Sequence, residues 1–186
     1  EPLFGDRDLV LILTSLGGGT GTGGAPALCR MAKESGATAA VIATMPFRME
    51  TTRRRKAFEA LPDLREAADN VIIFDQNHLM DAAAQMPVDD ALGFMNMLVG
   101  EVVRGLVEST TRPSRINIDF ADLRSVLSRP GLSLVLIGEV ESTDPMSVVN
   151  ATLENPFADI DHSSATAALV HITGGDDLTL RDAQAI

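Results

Sequence analysis

Three short apolar runs separated by amphipathic stretches organise the first half of the chain. Residues 8–14 (Asp-Leu-Val-Leu-Ile-Leu-Thr), 38–44 and 71–74 have strand length and little polar alternation. That pattern belongs to strands buried on both faces of a parallel sheet. Between them the sequence predicts a helix over 25–35, with Pro26 in its first turn and Gly36 closing it. A charged helix over 51–68 follows, which Pro62 should kink or split. After the third strand comes a short helix from His78 to about Ala83. The longest amphipathic stretch runs from Asp89 to Glu108, with Leu92, Met95, Leu98, Val99, Val102, Val103 and Leu106 on one wide face. Beyond it the pattern predicts a loop over 110–117, a helix over 119–128 and a strand over 132–140. A helix over 144–153 capped by Thr143 or Asp144, a strand over 167–173 and a helix from Leu178 complete the series. Strand and helix in alternation imply an α/β fold, a parallel sheet with helices on both faces.

Composition narrows the function classes. The chain has 186 residues, 45% hydrophobic and 22% charged, as in globular domains. A net charge of −11 argues against nucleic acid and anionic lipid, both of which need basic patches. No apolar run approaches the ~20 residues of a membrane-spanning helix. The densest basic cluster, Arg53-Arg54-Arg55-Lys56, reads by itself as a solvated helix face. The single cysteine, Cys29, has no internal disulfide partner and reads as a small core side chain. His78, His162 and His171 are too widely separated for a zinc site, and His171 is expected to be packed or at a strand edge. No G-x-S-x-G elbow is present to support a serine hydrolase. A cytoplasmic protein with no metal site of its own is expected.

The run Gly17-Gly18-Gly19-Thr20-Gly21-Thr22-Gly23-Gly24 lies between the first strand and the first helix. Strand, glycine loop and helix together make a phosphate seat. Glycine permits positive φ, leaves no Cβ in a ligand's way and lets consecutive N–H groups converge on one anion. The helix adds unpaired donors and the positive end of its dipole. A P-loop would close with Lys-Ser/Thr, yet no lysine occurs before Lys33. Gly19, Gly21 and Gly24 match G-x-G-x-x-G, but the acidic residue wanted at the end of the next strand is missing from 36–44.

The run instead resembles the G-G-G-T-G-T-G signature of the tubulin and FtsZ superfamily of polymerising GTPases. Pro46-Phe47-Arg48-Met49-Glu50 is similar to the family's Pro-Phe-x-x-Glu segment, with Arg54 at the family's spacing. Asn117-Ile118-Asp119-Phe120-Ala121-Asp122 resembles its synergy loop, N-x-D-F-A-D. His171-Ile172-Thr173-Gly174-Gly175-Asp176-Asp177-Leu178-Thr179-Leu180 is similar to N-I-T-G-G-x-D-L-T-L. The match is closer to FtsZ than to eukaryotic tubulin.

The resemblance implies a GTP/GDP site. Gly17, Gly18, Gly19, Thr20, Gly21, Thr22 and Gly23 would hold the phosphates, with Mg2+ carried mainly by those phosphates. Glu50 and Arg54 would reach the sugar, Asn77 would fall where the family has an Asn-Asp pair, and Asn96 would read guanine. Asp119 and Asp122, with Asn117 holding the loop, would polarise water for attack on the γ-phosphate of a neighbouring subunit. Met49, Thr51 and Leu92 depart from the family's Phe, Gly and base-stacking aromatic. The implied organisation is a partial GTP-binding domain over 1–88, a connecting helix over 89–109 and a partial second domain over 110–186. An earlier stretch with further strands and another phosphate loop is implied too, so the sequence reads as an internal portion of a longer protein. Its implied partners are copies of itself in a head-to-tail filament and other cell-division proteins at the division site. A regulatory tubulin-like protein that hydrolyses little is the alternative.

Overall fold

The computed structural model describes residues 3–78, 85–111, 119–129, 131–138, 144–154, 164–172 and 179–185. Strands β1 (Leu9–Ser15), β2 (Thr38–Met45), β3 (Asn70–Asp75) and β4 (Leu132–Ser133) form one parallel sheet in the order β1-β2-β3-β4. Helices α1 (Gly19–Glu34) and α2 (Thr51–Ala67) are the crossovers, followed by α3 (Val88–Thr111), α4 (Phe120–Leu127), α5 (Pro145–Leu153) and α6 (Leu180–Ala185). The α/β expectation is met.

The period of two along the strands divides the core into two layers. Val10, Ile12, Ala39, Val41 and Ala43 face α1 and α2, meeting Ala25, Cys29, Ala32, Ala57 and Leu64. Ala40, Ile42, Ile72 and Phe74 face the other way, onto Met95, Leu98 and Leu106 of α3 and Leu123 and Leu127 of α4. Seven of the eight β2 residues are buried, which explains a run with no polar alternation. Alanines at 39, 40 and 43 keep the strand thin, so helices pack closely on both sides. Cys29 is fully buried among them, as expected of a core side chain, and burial pushes its thiol up to about 11.

Several elements differ from the pattern-based expectation. Helix α1 begins at Gly19 rather than near residue 25, so the glycine run is mostly helix and Pro26 lies inside it. Poor helix propensity is overridden because Gly21 sits where a Cβ would run into the Ser15 carbonyl oxygen and Thr14 Oγ1. Only glycine lets α1 approach β1 so closely. Pro62 does not split α2, which is continuous through 67. Its apolar face carries Ala57, Leu64 and Ala67 on both sides of the proline, and their burial holds the segment together.

Among the described residues β4 is confined to Leu132 and Ser133, opposite Val71 and Ile72, with an isolated bridge at Leu136; residues 139 and 140 of the expected strand lie outside them. Residues 167–172 are not a strand, because a β-ladder needs a partner and none pairs with them among the described residues. The His171 ring lies beside Gly105 of α3 instead. Residues 76–78 are helical, while the rest of the helix expected to about Ala83 lies outside the described residues. Asp144 caps α5 through the Met146 amide, and Thr143 lies outside the described residues. His162 and Asn117 also lie outside them.

Candidate nucleotide site

In a parallel sheet every crossover helix starts at the C-terminal edge of the strands, so helix N-termini and strand-end loops gather there. Three segments meet at that edge: the turn after β1, residues 46–50 after β2, and Asp75-Gln76-Asn77 ending β3.

The first segment is a donor cradle. Leu16 N–H extends the ladder to the Thr44 carbonyl at 3.0 Å, and Gly17 then turns the chain with φ of 92°. Gly17 N–H donates to Thr22 Oγ1 at 2.8 Å, tying the turn to the first helical turns. Gly17 is buried under α2, where a Cβ would stand 2.5 Å from the Arg53 carbonyl oxygen. Gly18, Gly19 and Thr20 are exposed. Gly18 is the N-cap and has no side-chain capping bond, and no acidic residue occupies the first turn of α1. The leading amides of α1 therefore face outward without a side-chain acceptor, over glycines with nothing within 4 Å of a notional Cβ. This is an anion seat built from backbone. A depression of about 440 Å3 beside it is lined by Gly18, Gly19, Thr22, Gly23, Lys56, Glu59 and Ala60.

The second and third segments are tied to each other. Arg54 Nη1 donates to the Pro46 carbonyl at 2.8 Å and to Asp75 Oδ1 at 3.3 Å, and Nη2 donates to Asp75 Oδ2 at 2.9 Å. The guanidinium also sits 5.0 Å above the Phe58 ring. Asn77 is buried; its Oδ1 accepts from Arg48 N–H at 2.7 Å, and its Nδ2 donates to Asp75 Oδ1 and to the Pro46 carbonyl. Burial alone would raise the Asp75 carboxyl. Hydrogen bonds from Arg54 and from the Asn77 backbone and side chain outweigh it and hold the group below its ordinary value.

Glu50 does not pair with Arg54 four residues on. Its Oε2 accepts from Arg53 at 2.7 Å and its Oε1 from Phe47 N–H at 3.3 Å, because Asp75 already occupies Arg54. Each Glu50 oxygen keeps a lone pair for a hydroxyl donor. Asn96 is exposed on α3, one residue past buried Met95, and Leu92 is half-buried. Asp75 was not picked out from sequence, although a carboxylate ending an apolar parallel strand lands on this edge by construction.

Asp119 and Asp122 lie elsewhere. Asp119 caps α4, accepting the Asp122 amide at 2.8 Å, while Asp122 Oδ2 accepts the Asp119 amide at 3.4 Å. This capping box leaves both carboxylates exposed. Arg124 of the same helix and its C-cap Ser128 line a depression with Thr38, which opens β2, and Asp69, just before β3, at the N-terminal edge of the sheet. One length of β2 separates that edge from the glycine turn, about 23 Å at the usual rise per residue. The C-terminal half of α4 thus lies at the end of the sheet opposite the cradle, and Asp119 and Asp122 cap the start of that same short helix. Among the described residues no group of three His, Cys, Asp or Glu stands together as a metal site, and no helix is long and apolar enough to cross a membrane.

Two family models match the chain: Tubulin/FtsZ family, GTPase domain, over residues 3–84, and FtsZ family, C-terminal domain, over residues 131–186. The chain belongs to the FtsZ family. It is 40% identical over its whole length to "Cell division protein FtsZ 2" of Haloferax volcanii, covering 47% of that protein. It is 43% identical to "Cell division protein FtsZ 2" of Methanocaldococcus jannaschii over 96% of this chain and 48% of that protein. A solved structure described as an empty FtsZ dimer from M. jannaschii aligns with a TM-score of 0.88 at 37% identity, covering 96% of this chain and 52% of that one. A CetZ from Methanosaeta thermophila, at 23% identity and a TM-score of 0.70, shares the fold. The chain spans about half the length of the curated relatives it matches.

Proposed function

We propose that the protein carrying this FtsZ chain is a GTP-binding, self-assembling cytoskeletal GTPase of prokaryotic cell division, cytoplasmic and acting at the division site. GTP is hydrolysed at the interface between subunits of a filament. The observation that carries the reading is the separation just described: an anion cradle at one end of the sheet and, packed toward the other, the helix that a pair of exposed carboxylates caps. A carboxylate side chain spans only a few ångströms and cannot cross a strand length to its own subunit's cradle. Head-to-tail stacking brings one subunit's carboxylates to the next one's cradle, and such heterologous contacts propagate rather than close. The relatives named for cell division and the FtsZ dimer structure support the same reading.

Within that proposal each residue has a task. The amides of Gly18, Gly19 and Thr20 hold phosphate oxygens, while Gly17, Gly21, Thr22 and Gly23 shape the turn and the helix start. Glu50 accepts from the ribose hydroxyls and Asn96 reads the guanine edge with its amide. Asp119 and Asp122 orient water and take up its proton, with Asn117 steadying the loop. Mg2+, held mainly by the nucleotide's own phosphates, supplies charge neutralisation when bound. The division into domains over 1–88 and 110–186 about the connecting helix belongs to the proposal as well.

One observation favours the alternative of a regulatory, non-hydrolysing protein: Asp119 and Asp122 are engaged in capping their own helix. Phosphate release measured together with sedimentation of the full-length protein separates the two. Turnover that rises with assembly supports the GTPase; assembly without phosphate release supports the alternative.

A further inference from the structure

Hydrogen bonds from Arg54 and Asn77 converge on the Asp75 carboxylate at the C-terminal edge, and the family resemblance gives it no task. We propose that Asp75 is a positioning residue of the nucleotide site: it holds Arg54 and Asn77, and through them sets the 46–50 segment so that Glu50 meets the sugar. The inference rests on the nucleotide-binding reading above and deepens it, because it gives Arg54 a scaffold task beside the sugar contact that the resemblance implies.

Asp75 takes the Arg54 fork on both oxygens, at 3.3 and 2.9 Å. A bidentate pair fixes the plane of the guanidinium as well as its position. That plane presents Nη1 to the Pro46 carbonyl, the first residue of the segment. Asp75 Oδ1 also accepts the Asn77 backbone N–H at 3.0 Å and the Asn77 Nδ2. Asn77 is thereby aimed so that Oδ1 receives Arg48 N–H. Pro46 and Arg48 are thus both held by groups that Asp75 orients. Between Arg48 and the start of α2 the chain turns back on itself, with Glu50 N–H on the Phe47 carbonyl and Phe47 N–H on Glu50 Oε1. Glu50 is consequently set by a connected series of bonds that runs through Arg54 and Asn77 down to the Asp75 carboxylate.

The same geometry argues against Arg54 serving the phosphates. The side chains of Arg54 and Asp75 are only 20% and 15% exposed. Turning Arg54 outward would leave Asp75 charged and unpaired in a mostly buried place, which is strongly unfavourable. It would also remove the guanidinium from the Phe58 ring and free the Pro46 carbonyl. Lys56, exposed on the same helix and lining the depression beside the cradle, needs no such disruption to approach an anion.

The test compares binding of GTP and 2′,3′-dideoxy-GTP to the full-length protein by equilibrium dialysis. Asp75→Asn keeps the shape of the side chain but weakens its hold on Arg54. It is expected to lower GTP affinity on the order of tenfold, a misplacement effect, and to leave dideoxy-GTP affinity within about twofold. Arg54→Ala should do the same, and the double variant should be no worse than either single one, because both break one linkage. Equal losses for both nucleotides in Asp75→Asn would overturn the proposal. So would a loss in Arg54→Ala that grows from GDP to GTP, the mark of a phosphate ligand. Glu50→Gln separates the layers of inference. If it leaves sugar discrimination intact, the assignment of Glu50 to the ribose fails; if it abolishes discrimination while Asp75→Asn does not, only the positioning role fails. Should Asp75→Asn not fold, Arg54→Lys, which offers Asp75 one contact in place of a fork, is read by the same ratio.

Discussion

The glycine run offers a test in which one substitution, glycine to alanine, should change stability in opposite directions at neighbouring positions. Gly17 has φ of 92°, and a Cβ there would lie 2.5 Å from the Arg53 carbonyl oxygen and 3.0 Å from the Arg53 Cβ. The backbone conformation alone costs an L-residue about 1–2 kcal/mol. Forcing α2 away from the turn adds roughly 1–3 kcal/mol of overpacking strain. Gly17→Ala should therefore destabilise by roughly 2–5 kcal/mol. Gly21 has an ordinary helical φ, but its Cβ would meet the Ser15 carbonyl oxygen and stand 2.5 Å from Thr14 Oγ1. Both atoms belong to β1, which is fixed by its ladder to β2, so about 1–3 kcal/mol of strain is expected here too. Gly23 is exposed, helical and has nothing within 4 Å. Gly23→Ala should stabilise by about 0.5–1 kcal/mol, the ordinary gain of alanine over glycine in a helix. Urea unfolding of nucleotide-free, full-length protein followed by circular dichroism reads all three. If Gly23→Ala and Gly21→Ala shifted the midpoint in the same direction by similar amounts, the close approach of α1 to β1 would be wrong, and with it the placement of the donor cradle.

Other expectations follow from single groups. Cys29 is fully buried and its thiol is pushed up to about 11, so it should resist a thiol reagent at pH 8 in folded protein and react promptly in denaturant; rapid native labelling would contradict the packing of α1. The folded Asp75 carboxyl lies below its ordinary 3.8, so the unfolded chain binds more protons between the two values. Its contribution is therefore complete above about pH 4 and disappears as pH falls through the folded value, and Asp75→Asn should flatten the acid limb of a stability–pH curve relative to wild type. Asn96→Ala should reduce the preference for GTP over ATP in a competition assay, since a site lacking a hydrogen-bonding partner rejects the wrong base less strongly. Unchanged discrimination would return Asn96 to the solvated face of α3.

How much of this was legible in the sequence depends on where each signal resides. The buried strands announced themselves because β2 lies between two helical layers and carries no polar alternation, and α3 did so through its long apolar face. The start of α1 was hidden: four glycines and a proline argue against helix locally, and only the contact of Gly21 with β1 makes the glycines favourable. Proline at 62 misled for the same reason, since burial of Leu64 and Ala67 beyond it is a tertiary effect. The segment 167–172 has a strand's composition, yet pairing is a property of two segments and composition describes one. At the site, motif spacing located Glu50 and Arg54 but not the group that holds Arg54. The partner that claims Arg54, Asp75, is 21 residues away in sequence and adjacent only once β2 and β3 align.

The central claim is that one subunit's carboxylates serve another subunit's nucleotide, and complementation between two inactive full-length variants tests it most directly. Asp122→Ala should bind GTP nearly normally but lose on the order of 10²–10⁴-fold in hydrolysis, for want of its carboxylate. Gly19→Glu places a negative charge in the anion seat and should bind no nucleotide, yet it keeps Asp119 and Asp122. Mixed and shown by sedimentation to co-assemble, the two should recover phosphate release, because a Gly19→Glu subunit presents its carboxylates to the GTP of an Asp122→Ala neighbour. A co-assembled mixture that stays as inactive as its components would mean that cradle and carboxylates act within one subunit, and the shared-site account would be wrong.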